Sequence, residues 1–251
     1  MRADQLLVER GQAASRAQAQ RLIAAGVQWR LAGGAWRRVA KNGEELPPAA
    51  ELQPEDDAET RYVSRGGLKL EAALRLAGVD AAGLVCLDVG QSTGGFTDCL
   101  LRHGAARVVG VDVGHGQLHE RLRADPRVTA LEGVNARALT AAGLGGALPP
   151  GGFGLVVGDL SFISLALVLP ALAPLLAAGG CMLLLAKPQF ELQPGRIGKG
   201  GIVRDAAAYD EVRDKLRGAA DALGLAWAGW HDSPILGGDG NREFLMVLRK
   251  T

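Results

Sequence analysis

Apolar positions recur in two different rhythms along this chain, and the change of rhythm divides it. Beyond residue 60, short apolar runs bounded by glycine and polar residues predict strands at 84–88, 107–112, 128–131, 154–159, 181–186, 225–230 and 244–248. Helical spacing fills the gaps between the earlier runs, and a long helix, about 206–223, precedes the sixth. Strands alternating with helices predict a parallel, doubly wound sheet. Only "HDSPILGGDGNRE" separates the last two runs, so these are expected to pair antiparallel. The expected fold of 61–251 is therefore α/β: a seven-stranded, mostly parallel Rossmann-like sheet with a reversed last strand.

Residues 1–60 read as a small α+β domain. A first helix is expected at about 4–9, carrying Leu6 and Leu7. In "ASRAQAQRLIAAGV", Ser15 is placed to cap a second helix, with Gln18 three positions on and Gly26 at its end. Ala19, Leu22 and Ile23 share its apolar face, and Arg16 and Gln20 lie on a neighbouring stripe, expected to stand free for phosphate. Two strand-like pieces, "VQWRLAG" and "AWRRVA", follow Gly26. The acidic, proline-bearing stretch 44–59 reads as a connector, or alternatively as one more strand closing the small domain.

Composition modifies this picture in three places. The 251 residues are 48% hydrophobic, enough for a small and a medium core, and the net charge is only +1. That total hides an asymmetry: residues 1–41 hold eight basic side chains against two acidic ones, and residues 44–59 hold seven acids and no base. A basic head suits a polyanionic partner. The run 165–186 carries no charge and is long enough to span a bilayer. Pro170, Pro174 and the Gly179-Gly180 pair break it, so it reads as a helix, a glycine turn and a buried strand. Cys86, Cys99 and Cys181 lie in apolar segments without metal-ligand spacing and read as buried thiols of a reducing, cytoplasmic protein. The opening "MRADQLLVERG" is charged and is no signal peptide.

The chemistry is concentrated at "DVGQSTGGF", residues 88–96, where the first long strand ends. Glycines there let backbone approach a ligand, and Asp112, 24 residues after Asp88, is placed to accept two ribose hydroxyls. Such a loop fits a nicotinamide or flavin enzyme as well as an adenosylmethionine enzyme. The spacing is not G-x-G-x-x-G and no phosphate-binding lysine follows, which favours a ligand without pyrophosphate, S-adenosylmethionine. Four charges occupy unusual places. Lys69 lies on the apolar stripe of "RGGLKLEAALRLAG", Asp159 and Lys187 end the fourth and fifth strands, and Glu243 begins the reversed one. All four point to one rim of the sheet. His115 and His119 stand four apart but lack a third ligand, so no metal is expected. The basic, glycine-rich "GRIGKGGIVRD" reads as a lid over RNA through Arg196, Lys199 and Arg204.

These segments carry a family resemblance. Lys69, Asp159, Lys187 and Glu243 match the Lys–Asp–Lys–Glu tetrad of ribose 2′-O-methyltransferases related to FtsJ. More closely, "RGGLKL", "DVGQSTGGFTDCLL", "VDVGHGQLHERLRADPRV", "DLSFISL", "KPQFE", "KGGIVRD" and "GNREFL" resemble the TlyA (haemolysin A) family of rRNA 2′-O-methyltransferases. Residues 1–40 resemble the RNA-binding domain shared by a small-subunit ribosomal protein and pseudouridine synthases. The resemblance implies methyl transfer from S-adenosylmethionine to a cytidine ribose in ribosomal RNA, with ribosomal RNA or a ribosomal subunit as partner and no stable membrane association. The chain stopping soon after its last strand leads us to expect large-subunit rRNA as substrate. Lys187 is the implied base, which must be neutral although a free lysine (pKa about 10.4) is charged at pH 7. Implied cofactor contacts come from Asp88, Gly90, Ser92, Gly94, Gly95, Phe96, Asp112, Asn135 and Asp159. Implied RNA contacts come from Arg2, Arg10, Arg16, Gln20, Arg21, Arg65, Arg196 and Lys199. An inactive RNA-binding assembly factor and a membrane-active haemolysin are the alternatives.

Overall fold

The computed structural model describes residues 1–13, 15–54, 61–237 and 240–251, in two compact units, Met1–Arg65 and Gly66–Thr251. The first unit begins with α1 (Ala3–Glu9) and α2 (Arg16–Gly26). The Ser15 hydroxyl accepts the Gln18 N–H at 3.2 Å and starts α2, which ends at Gly26 with φ at +135°. Ala19, Leu22 and Ile23 are buried with Leu6, Leu7, Val27 and Leu46. Three strands complete the unit, β1 (Val27–Arg30), β2 (Arg37–Arg38) and β3 (Glu51–Pro54), antiparallel in the order β2-β1-β3. The reading of 44–59 as a connector is thus corrected. Leu52 and Ala50 have core to bury in, so the segment pairs along the whole of β1. Residues 55–60 of that stretch lie outside the described residues.

Asp4 is fully buried in this unit. Its carboxylate accepts Arg2 Nε (3.0 Å) and Nη2 (2.9 Å), Arg16 Nη2 (3.1 Å) and Gln20 Nε2 (3.2 Å). Arg16 and Gln20, expected to stand free, instead reach inward to it, because a buried carboxylate must find donors. The Arg2 hydrogen bonds, opposed by burial and aided by Gln20 and Arg16, hold the Asp4 carboxyl well below the usual carboxylate range.

The second unit holds β4 (Val85–Val89), β5 (Arg107–Asp112), β6 (Val128–Glu132), β7 (Phe153–Gly158), β8 (Leu176–Ala186), β9 (Leu225–Asp232) and β10 (Phe244–Lys250). Their order is β6-β5-β4-β7-β8-β10-β9, parallel from β6 to β8, with β10 antiparallel to both neighbours. The main helices are α3 (Gly66–Ala77), α4 (Gly95–Arg102), α5 (Leu165–Leu172) and α6 (Ala206–Asp221). Leu87, Val109, Val156, Met182 and Met246 from the central strands meet Leu169, Leu172, Val212 and Leu216 from α5 and α6 in one core.

The uncharged run resolves as α5, a short 3-10 turn and β8. Its glycines sit elsewhere than expected. The register on β7 jumps from Phe153↔Leu176 to Leu155↔Cys181, so residues 177–180 bulge out within β8, with Gly179 at φ +72°. Among the described residues no helix is long and apolar enough to cross a membrane.

Asp4→Ala in the full chain is expected to remove about 1–3 kcal/mol of local stability, read as lost hydrogen-exchange protection in α1 and α2. Because the folded pKa is lowered, this contribution is present above about pH 4 and fades as the pH falls below that. Equal protection in wild type and variant would show that Asp4 braces nothing.

Candidate active site

The carboxyl ends of β4, β5, β7 and β8 share one rim, and β10, being reversed, begins there. Asp88 lies on β4, fully buried. Its Oδ2 accepts the Thr97 hydroxyl at 2.7 Å, and that hydroxyl accepts the Gln91 amide N–H at 2.9 Å. Oδ1 is buried and has no hydrogen-bond partner among the described residues. Burial pushes the Asp88 carboxyl up to about 7, against the Thr97 hydrogen bond, which lowers it. Gln91 and Thr97 were absent from the sequence-level site. Their signal was Gly110 inside β5: a Cβ there would strike the Gln91 amide at 2.0 Å.

The loop after β4 is left-handed at Gly90 (φ +82°), Ser92 (φ +48°) and Gly94 (φ +95°) before α4 starts at Gly95. Glycine is required at two of these positions by neighbours within the protein. A Cβ on Gly90 would sit 2.9 Å from the Asp159 carbonyl oxygen, and one on Gly94 would strike Leu122 at 2.4 Å. Phe96 is buried in α4. Asp112 Oδ2 accepts the Ser92 N–H (2.8 Å) and Oδ1 the Gly114 N–H (2.7 Å), so the glycine loop and the end of β5 are tied together. Asn135 follows β6 and caps a short turn through the Arg137 N–H at 3.0 Å. The Val134 N–H donates to the Asp112 carbonyl. His119 caps the helix Glu120–Arg123 through the Arg121 N–H, and His115 sits against Gly133.

The structure brings Lys69, Asp159, Lys187 and Glu243 into one chain of charges. Lys69, only 4% exposed, comes from α3, and its Nζ lies 2.5 Å from Glu243 Oε2 and 3.8 Å from Asp159 Oδ2. Lys187 Nζ lies 2.6 Å from Asp159 Oδ1, off the hydrogen-bonding direction, and donates to the Ser161 hydroxyl at 2.8 Å. Register explains part of this. Phe244 pairs with Ala186, so one step further Glu243 faces Lys187 across β10 and β8. The Asp159 N–H donates to the Val89 carbonyl at 3.1 Å, which sets the charge chain beside the glycine loop.

Two surrounding features were not legible beforehand. Phe162 is 90% exposed, has φ at +64°, and lies 5.1 Å from the Phe190 ring. A bulky residue in the left-handed region is strained, and such strain persists where the surroundings fix it. Asn241, buried, accepts the Val203 N–H and donates to the Gly201 carbonyl, both at 2.9 Å, and so fastens the basic loop to the start of β10.

The expected RNA contacts fall into separate groups. Arg2, Arg16 and Gln20 surround Asp4. Arg10 donates to the Pro48 carbonyl at 2.6 Å and Arg21 to the Ala17 carbonyl at 3.1 Å, and Arg65 is half-buried at the end of its unit. Arg196 pairs with Glu211 (2.9 Å) and Asp205 (3.3 Å). The Lys199 side chain lies outside the described part.

Thr97→Val is expected to cost about 1–3 kcal/mol, and more at pH 8 than at pH 6. A raised folded pKa means that the native state binds the extra proton between about pH 4 and about 7, so stability falls with rising pH across that window. Above it the charged carboxylate needs its donor most. Urea midpoints of the variant at the two pH values check this, and equal losses would remove the Thr97–Asp88 bond from the account.

Comparison with known proteins agrees with this geometry. The model of the family FtsJ-like methyltransferase matches residues 62–250. The 16S/23S rRNA (cytidine-2′-O)-methyltransferase TlyA of Mycobacterium tuberculosis is 45% identical over 250 residues, covering 99% of this chain and 89% of that one. Hemolysin A of Brachyspira hyodysenteriae is 36% identical over 250 residues, 98% of each chain. The solved structure of a protein described as a hemolysin, from Streptococcus thermophilus, superposes with a TM-score of 0.76 at 40% identity, over 100% of this chain and 88% of the other. With the reversed seven-stranded sheet, the glycine loop and the Lys–Asp–Lys–Glu chain all in place, this chain belongs to the FtsJ-like methyltransferases, in the TlyA and hemolysin A family.

Proposed function

We propose that the protein methylates the ribose 2′-hydroxyl of cytidine in ribosomal RNA, in the large subunit, and works in the cytoplasm. The observation that carries this is the continuous charge chain Glu243–Lys69–Asp159–Lys187 lying against the glycine loop. Cytidine is taken from the name of the 45% identical relative, which gives both 16S and 23S rRNA, and the 23S target alone from the name of a 32% identical relative, the 23S rRNA (cytidine-2′-O)-methyltransferase TlyA of Campylobacter jejuni.

S-adenosylmethionine is the methyl donor and supplies a methyl group already activated on a sulfonium. The residues present fit it. The unpartnered, buried Asp88 Oδ1 offers an acceptor at the loop, and Asp112 keeps lone pairs for hydroxyls beyond its two backbone donors. Gly90, Ser92, Gly94, Gly95, Phe96 and Asn135 line the same loops and would complete the donor site, with Asp159 at its edge.

The protein's own residues handle the acceptor. A ribose hydroxyl is a weak nucleophile, so it must be aligned and relieved of its proton. Lys187 takes that proton at Nζ as the neutral amine, having first released its own ammonium proton to solvent. Asp159 holds Lys187 and Lys69 at fixed positions, and Glu243, itself buried, keeps Lys69 in place. Phe162 offers an exposed ring at the rim on which a base can stack. Arg10, Arg21 and Arg65 of the first unit, with Arg196 and Lys199 of the second, meet RNA phosphates.

Lys187→Ala is expected to lower methyl transfer by about 10²- to 10⁴-fold while donor affinity holds. Measured with labelled donor and rRNA, full activity would remove Lys187 from the base role. Arg10→Ala is expected to weaken rRNA binding and make its salt dependence shallower by about 0.7–0.9 in log–log slope. An unchanged slope would take Arg10 off the phosphate.

A further inference from the structure

We propose that Glu191 is the positioning residue that fixes Lys187 against Asp159, with Lys215 holding it in place; this rests on the methyltransferase reading above. The problem it solves is geometric. Asp159 and Lys187 follow β7 and β8 directly, and the ladder that joins those two strands ends at the Gly158–Leu184 pair, before either of them. That ladder therefore does not join the two loops that carry them.

Three cross-links do. The first is Lys187 Nζ to Asp159 and to the Ser161 hydroxyl. The second is the contact of the Phe162 and Phe190 rings. The third is Glu191, whose side chain is 1% exposed. Its Oε2 accepts the Ser164 hydroxyl at 2.5 Å and its Oε1 the Leu165 N–H at 2.6 Å, both at the start of α5. Lys215, from α6, donates to Glu191 Oε2 (2.9 Å), to the Glu191 carbonyl (2.7 Å) and to Ser164 Oγ (3.2 Å).

A buried carboxylate satisfied by three donors from two other elements is a stiff link. It lies four residues after Lys187, and Ser164 lies five after Asp159. The stretch between the first and third cross-links contains Phe162, whose left-handed backbone needs both its ends held. The Glu191 carboxylate bonds to Ser164, Leu165 and Lys215, so its loss is expected to act on the transfer geometry and not on the donor site.

The test uses the full chain with rRNA and S-adenosylmethionine, and measures single-turnover rate, donor Kd and rRNA Kd. Glu191→Ala is expected to lower the rate by about 100-fold, with donor Kd held within about twofold. Glu191→Gln keeps an acceptor for the Leu165 N–H and is expected to recover about tenfold of that loss; Lys215→Met is expected to cost about tenfold. A general loosening of the fold would weaken donor binding in step with rate, and that result overturns the proposal, as does a Glu191→Ala rate near wild type. Should Glu191→Ala fail to fold, Lys215→Met decides: a rate within about threefold of wild type overturns the clamp. Wild-type protein that transfers no methyl to any rRNA overturns the functional reading and the clamp with it. An active wild type beside an equally active Glu191→Ala overturns the clamp alone.

Discussion

A lysine folded into the apolar face of a helix is stable only if a carboxylate reaches it, and Lys69 sets that demand. Leaving its ammonium unpaired inside the protein would cost several kcal/mol. Glu243 meets the demand at 2.5 Å, from a residue 174 positions away. β10, being reversed, begins at the rim where α3 presents Lys69, and this places Glu243 within reach of it. Asp159 then serves two cations at once, and Lys187 completes a row of alternating charge. Each member is tolerable in the interior because of the next.

The same alternation gives the site its chemistry. A rim of fixed and largely buried charges needs no rearrangement when an acceptor arrives, which is the basis of electrostatic preorganisation. The glycine loop lies beside it because the Asp159 backbone packs against Gly90. Glycine loop and charge row are thus parts of one packed surface, and a change in either is felt by the other.

Much of this was legible in the sequence, for physical reasons. Apolar runs of strand length revealed all seven strands of the larger sheet, because central strands bury both faces. The charges at Asp88, Asp112, Asp159, Lys187 and Glu243 stood out because each interrupts or ends such a run. What was hidden involved partners far apart in sequence. Nothing local marks Asp4 as the hub of Arg2, Arg16 and Gln20, or Glu191 as the link between two loops. The bulge at 177–180 was taken for a turn because its glycines look the same in either place. The strand β3 was legible only as the alternative reading of 44–59, because its acidic, proline-bearing surroundings fit a connector as well, although Leu52 carried the apolar signal.

The pairing of Phe244 with Ala186 has a bearing on how such a protein can change over time. Side chains alternate along a strand, so Glu243 faces Lys187 only while the count of residues between rim and ladder is kept. Exchanging one amino acid for another near this corner leaves that parity intact. Inserting a single residue between Glu243 and Phe244 would turn the carboxylate to the opposite side of the sheet and take from Lys69 the nearer of its two counter-ions. At this step drift by substitution is open, whereas drift in length is closed.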